Sequence, residues 1–183
     1  MIDLITLQNQ EKLIDGVILH PLKVNRDESG ILSELLKTTW TDIYNEKYPF
    51  AQCYYSVTPS GAVRDKDLWH IHPTKQEDRF VIIKGDAVVA IYDSRKDSPT
   101  FGRLNLFVMG EKNGDNGQYL LLIPQNTLHG FAVVGKSEAV LLNFPTTLYD
   151  PHEEGRIPHQ EAGVKFSDGS LFTWDRILQE IKV

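Results

Sequence analysis

The chain has one cysteine, Cys53, in 183 residues, so no internal disulfide can staple it. No stretch approaches the roughly 20 apolar residues needed to cross a bilayer, and the amino terminus has no basic segment leading into an apolar run. Both absences point to a cytoplasmic chain that stays off membranes. Basic residues are in deficit, 19 Lys and Arg against 25 Asp and Glu for a net charge of −6. That balance disfavours nucleic acid as a partner, while a local basic pocket for a small phosphorylated ligand remains compatible with it. Helical periodicity is scarce as well. Only Trp174, Ile177, Leu178 and Ile181 recur at the spacing of an amphipathic helix, with a turn at 168–170 before it.

What is present is β-type. Runs at 51–57, 79–83, 87–92, 104–108, 119–123, 131–134 and 139–143 are separated by Gly- and Asn-containing turns such as Lys84-Gly85-Asp86 and 113–117. This spacing predicts an antiparallel barrel or sandwich. With 41% hydrophobic residues the length supports one substantial core and falls short of two, so residues 1–183 are read as one domain. The first 50 residues are less regular, with a strand and then a short helix expected over 33–44. Asp97 to Gly102 reads as an ordered loop with Phe101 packed beneath it.

Three histidines carry the chemical signal. On a strand His70 and His72 share one face, and Trp69 and Ile71 take the other. Glu77 follows His72 by five residues, Gly85 comes next, and Pro124 precedes His129 by five. This order resembles the two motifs of the cupin barrel. The fold expected is therefore an all-β, cupin-type β-barrel (jelly roll) with its core at about 50–145, an N-terminal extension and a short C-terminal helix. In metal-binding cupins the pattern supplies two histidines, a carboxylate and a third histidine, which suits a divalent transition metal. Gln76 and Asp78 flank Glu77, and the sequence does not decide which of the three points inward. Asp93 and Arg95 read as a surface or loop-fixing pair, Cys53 as an inert core residue, and His152 and His159 as solvated.

Longer stretches are more specific. Arg26-Asp27-Glu28-Ser29-Gly30, Tyr92 through Gly102, Ile123-Pro124 with His129-Gly130-Phe131, and Tyr149-Asp150-Pro151 with Glu154-Gly155 occur in the order found in the dTDP-4-dehydrorhamnose 3,5-epimerase family, which the chain resembles from about Pro21 to Asp175. The resemblance implies a cofactor-free, metal-free homodimer acting on a nucleotide-activated 4-keto-6-deoxy sugar. It implies His70 as the base, Asp175 as the carboxylate orienting it, and Arg79 at the enolate oxygen in place of a lysine. Arg26 and Glu28 fall where the family contacts the nucleotide, and Gln52, Ser56, His72, His129 and Tyr149 fall in the pocket. Arg64 or Lys66 would meet the diphosphate.

The chemistry accounts for such a set. A proton next to a ketone becomes removable when negative charge spreads to the carbonyl oxygen, so the site needs a base near neutral pKa and a cation or donor at that oxygen. Two positions depart from the family. Asn143 stands where its tyrosine acid belongs, and asparagine cannot be a general acid, which leaves single epimerisation or another acid such as Tyr149 or Tyr55. His72 replaces a residue that is usually glutamine, and paired histidines also occur in sugar 3,4-ketoisomerases. A ketoisomerase, a metal-dependent cupin enzyme using His70, His72, Glu77 and His129, and a non-catalytic sugar-nucleotide binding cupin are therefore alternatives.

Overall fold

The computed structural model describes residues 2–114 and 117–181; Asp115 and Asn116 of the expected turn lie outside them. Twelve strands run in order: β1 (Ile18–Pro21), β2 (Val24–Asp27), β3 (Gly30–Ser33), β4 (Tyr54–Thr58), β5 (Leu68–Ile71), β6 (Asp78–Lys84), β7 (Asp86–Tyr92), β8 (Leu104–Gly110), β9 (Tyr119–Ile123), β10 (Leu128–Val133), β11 (Ala139–Asn143) and β12 (Gly155–Pro158). Two helices follow, α1 (His159–Ala162) and α2 (Trp174–Glu180). The strands form two five-stranded sheets, ordered β1-β9-β6-β11-β4 and β12-β5-β10-β7-β8, with β2 and β3 as a separate hairpin. All strand pairs in the two sheets are antiparallel. This is the all-β jelly roll expected from the sequence.

The apolar runs of β7 and β9 do not alternate with polar residues because both faces of each sheet are covered. Phe80, Ile82, Leu121 and Leu141 meet Val89, Ile91, Phe107 and Phe131 between the sheets. The outer face of the second sheet carries Trp69, Val88, Ala90 and Ala132 under Phe172, Trp174 and Ile177. The outer face of the first carries Val81, Leu120 and Leu122 under Ile43 and Tyr48. Burying residues of this size contributes about 1.5–3 kcal/mol each, so each covering segment is held chiefly by its apolar contacts. No helix of the described residues is long and apolar enough to cross a membrane.

Several local expectations are corrected. The helix expected after Ser33 is absent: 34–53 is irregular, and the carbonyls of Ile43, Tyr48 and Pro49 within it turn to the Arg79 guanidinium. Phe101 is 54% exposed, and the 97–102 loop is fixed from below by Asp93, which accepts hydrogen bonds from Arg95, Ser98 and Thr100. Cys53 is exposed, lying just ahead of edge strand β4. His152 is exposed as expected, whereas His159 is half-buried at the start of α1, with its ring 4.9 Å from Trp69 and 5.6 Å from Phe172.

Candidate active site

A cavity of about 490 Å³ opens at one end of the sandwich. Strand pairing assembles its wall. His70 on β5 stands opposite His129 on β10 and Arg156 on β12, so three separate segments bring polar side chains to one place. His72, just beyond β5, completes a trio in which one ring nitrogen from each histidine lies within 4.8 Å of the others. His72 and His129 are buried and His70 is half-buried.

Beneath the trio lies Asp78, the first residue of β6 and 2% exposed. Its Oδ2 sits 3.1 Å from His72 Nε2 and 3.4 Å from His129 Nε2. Its Oδ1 accepts from Gln76 Nε2 and Asn143 Nδ2, both at 2.8 Å. Burial alone would raise the Asp78 carboxyl, but hydrogen bonds from His129 and His72 outweigh it and hold the group far below the usual carboxylate range. Burial likewise lowers His72, while the Asp78 hydrogen bond and charge overcome it and leave the imidazole above its ordinary value. His70 moves the other way, lowered first by burial and then by the neighbouring His129. A neutral imidazole at His70 is the form a base needs.

His70 has an acidic neighbour. Asp65 Oδ2 lies 2.5 Å from His70 Nε2, off the line of a good hydrogen bond. Asp65 has φ of +52°, a left-handed conformation that costs a non-glycine residue energy and tends to persist where surrounding structure requires it. Tyr54, 47% exposed overall, turns its hydroxyl inward to accept from Asn143 Nδ2 at 2.7 Å. Burial and then the charge of Asp78 push that phenol up to about 12, so it stays protonated at neutral pH. Gln52, Ser56, Arg64, Phe80, Tyr149, Glu154 and Arg156 complete the lining that matters chemically.

The model of the dTDP-4-dehydrorhamnose 3,5-epimerase family matches residues 11–179. The chain belongs to this family. It is 42% identical over 149 residues to a probable low-salt glycan biosynthesis epimerase, Agl13, of Haloferax volcanii, covering 80% of this chain and 88% of that one. It is 33% identical over 162 residues to the spore coat polysaccharide biosynthesis protein SpsL of Bacillus subtilis, covering 87% and 99%. Among solved structures, a dTDP sugar isomerase from Desulfovibrio desulfuricans superposes with a TM-score of 0.72 at 27% identity, covering 86% and 94%. The fold also matches a 3'-monoepimerase from Streptomyces bikiniensis in complex with dTDP, with a TM-score of 0.70 at 20% identity over 92% and 84%. The chain is thus an enzyme of the nucleotide-sugar epimerase or isomerase class.

Two residues assigned from the resemblance are elsewhere. Arg79 is fully buried and faces away from the cavity. Side chains alternate along β6, so Asp78 and Phe80 point inward while Arg79 points to the 43–50 segment, where it donates to the carbonyls of Phe144, Ile43, Tyr48 and Pro49 at 2.6 to 3.1 Å. It is a structural clamp. Asp175 lies in the first turn of α2, exposed and paired with Lys66 Nζ at 3.2 Å, away from the cavity. That pairing removes Lys66 from the pocket too, leaving Arg64 there.

Arg26 and Glu28 sit on or at the turn of the exposed β2–β3 hairpin and are not brought to the cavity of their own chain. Glu77 turns away from the histidines, its Oε2 accepting from Thr146 Oγ1 at 2.9 Å. Tyr55 is 70% exposed and does not line the cavity. His70, His72, His129, Gln52, Ser56, Arg64 and Tyr149 are brought together as expected. Asp65, Tyr54 and Arg156 were not anticipated from the sequence; of 76–78, which the sequence left open, Gln76 and Asp78 line the cavity. Tyr54 had a signal, since it falls midway between Gln52 and Ser56 and a period of two puts all three on one face.

Proposed function

We propose that the enzyme epimerises a nucleotide-activated 4-keto-6-deoxy sugar, with His70 removing the proton next to the ketone and Tyr54 returning a proton as general acid. The carrying observation is that a histidine lowered by burial, a carboxylate 2.5 Å from it and a protonated phenol all face one cavity. Asp65 takes the part that the resemblance gave to Asp175, stabilising the imidazolium formed by proton abstraction. Tyr54 takes the part of the family's acid. It stands opposite Asn143 in the β4–β11 register, so the hydroxyl comes from the neighbouring strand. Arg64 and Arg156 are the cations suited to the diphosphate. The donor at the ketone oxygen comes from the His72–Asp78–His129 group, because Arg79 cannot reach it.

The reading extends to a cytoplasmic homodimer formed by a single cupin-like unit. Edge strand β4 leaves Tyr55 70% and Val57 47% exposed, and an exposed apolar edge favours pairing with another copy. Light scattering on the purified protein checks the dimer. Activity is checked by incubating the protein with a dTDP-4-keto-6-deoxy sugar and following the ring protons by NMR. The expected outcome is a new epimer with the ketone still at carbon 4. A 3-keto product would assign the ketoisomerase reaction, which paired histidines also suit.

A further inference from the structure

The buried group around Asp78 has more acceptors than donors when both of its imidazoles are neutral. His72 Nδ1 lies 3.0 Å from the Glu153 carbonyl oxygen, and His129 Nδ1 lies 3.3 Å from that of Thr127. A carbonyl only accepts, so each Nδ1 carries a hydrogen; each Nε2 then either donates to Asp78 from a cationic ring or, in a neutral ring, presents a lone pair. Both Nε2 atoms face Asp78 Oδ2, and the two amides are spent on Oδ1, so the two rings are what stands at this oxygen. Gln76 Nε2 also lies 3.2 Å from His72 Nε2, and in a neutral ring it donates to that lone pair and leaves the other two facing each other. With both rings neutral the lone pairs would meet in a buried space, so a positive centre belongs there: a proton on each ring, which sets two cations against one carboxylate, or one metal ion shared by all three atoms.

The distances suit a metal ion. Donor atoms bound to one ion at about 2.0–2.2 Å stand about 3.0–3.5 Å apart in octahedral or tetrahedral geometry. The two measured separations are 3.1 and 3.4 Å. The outer contacts are those that orient metal ligands: ring Nδ1 atoms held by carbonyls, and the carboxylate's far oxygen held by two amides. We propose that His72 Nε2, His129 Nε2 and Asp78 Oδ2 bind one divalent first-row transition metal ion, with His70 beside it as the base. Glu77 is not a ligand. The inference departs from the cofactor-free expectation. It rests on the proposed reaction only in its consequence, that the ion polarises the ketone oxygen in place of Arg79.

The test is binding of the metal alone. Protein freed of metal with a chelator is titrated with Co²⁺ by visible absorption and with Zn²⁺ by calorimetry. The expected result is one ion per chain, weakened at least about tenfold in Asp78→Asn and in His129→Ala, and unchanged in Glu77→Gln. Circular dichroism on each variant separates lost binding from lost fold. Failure of the wild type to bind either ion stoichiometrically, or full binding by both ligand variants, overturns the proposal. The reaction stands apart from this outcome: epimerisation by a chain that binds no metal overturns the metal site alone, and metal binding without epimerisation upholds the site while rejecting the reaction.

Discussion

Asn143 and Tyr54 face each other across adjacent strands, and the Asn143 amide donates to the Tyr54 hydroxyl at 2.7 Å while also holding Asp78. The phenol that Asn143 holds thus comes from the adjacent strand β4. Tyr54→Phe is expected to lower kcat by about 10²–10⁴ at nearly unchanged KM, whereas Tyr149→Phe lowers it less than tenfold. Steady-state kinetics on the two variants checks this.

Asp65 and Asp175 separate as partners of His70. Asp65→Asn keeps a residue that tolerates the left-handed backbone at φ +52° and removes only the charge, so a loss of at least about tenfold in kcat is expected. Asp175→Asn breaks an exposed pair with Lys66 and is expected to leave kcat within about twofold. Equal losses in both would reject the Asp65 assignment.

Arg79 serves stability. Arg79→Met takes the guanidinium from four carbonyls, three of them on buried residues, and is expected to cost about 3–5 kcal/mol of unfolding free energy. Denaturant titration measures it. The folded fraction should keep the wild-type KM, as it would not if the guanidinium touched substrate.

Acid sensitivity is expected at the 93–102 loop. Burial would raise the Asp93 carboxyl, but hydrogen bonds from Arg95, Ser98 and Thr100 hold it at about 2, below the ordinary 3.8. A depressed folded-state pKa contributes stability that is full above the ordinary value and is lost as pH falls from there toward about 2. Wild type should therefore exceed Asp93→Asn in Tm by a few degrees at pH 7, with the gap closing as pH drops through that window. A gap independent of pH would contradict the assignment.

Much of this was legible in the residues. The expected strands at 119–123 and 139–143 coincide with β9 and β11, because turn residues bracket continuous apolar runs. The histidine trio was legible from strand periodicity and motif order. The errors come from register and distance in sequence. On β6 a displacement of one residue moves a side chain to the opposite face, which is why Asp78 and not Arg79 enters the cavity. The carboxylate beside His70 came from five residues upstream, where the left-handed backbone at Asp65 is invisible to pattern. The irregular 34–53 segment carries no periodic signal, since carbonyl contacts to a buried guanidinium organise it.

The central claim is proton abstraction next to a ketone, and isotope exchange tests it most directly. In deuterated water, with a dTDP-4-keto-6-deoxy sugar, the wild type is predicted to place deuterium at carbon 3, carbon 5 or both while the ketone stays at carbon 4, and His70→Ala is predicted to place none. Absence of exchange by the wild type, or undiminished exchange by His70→Ala, would contradict the account.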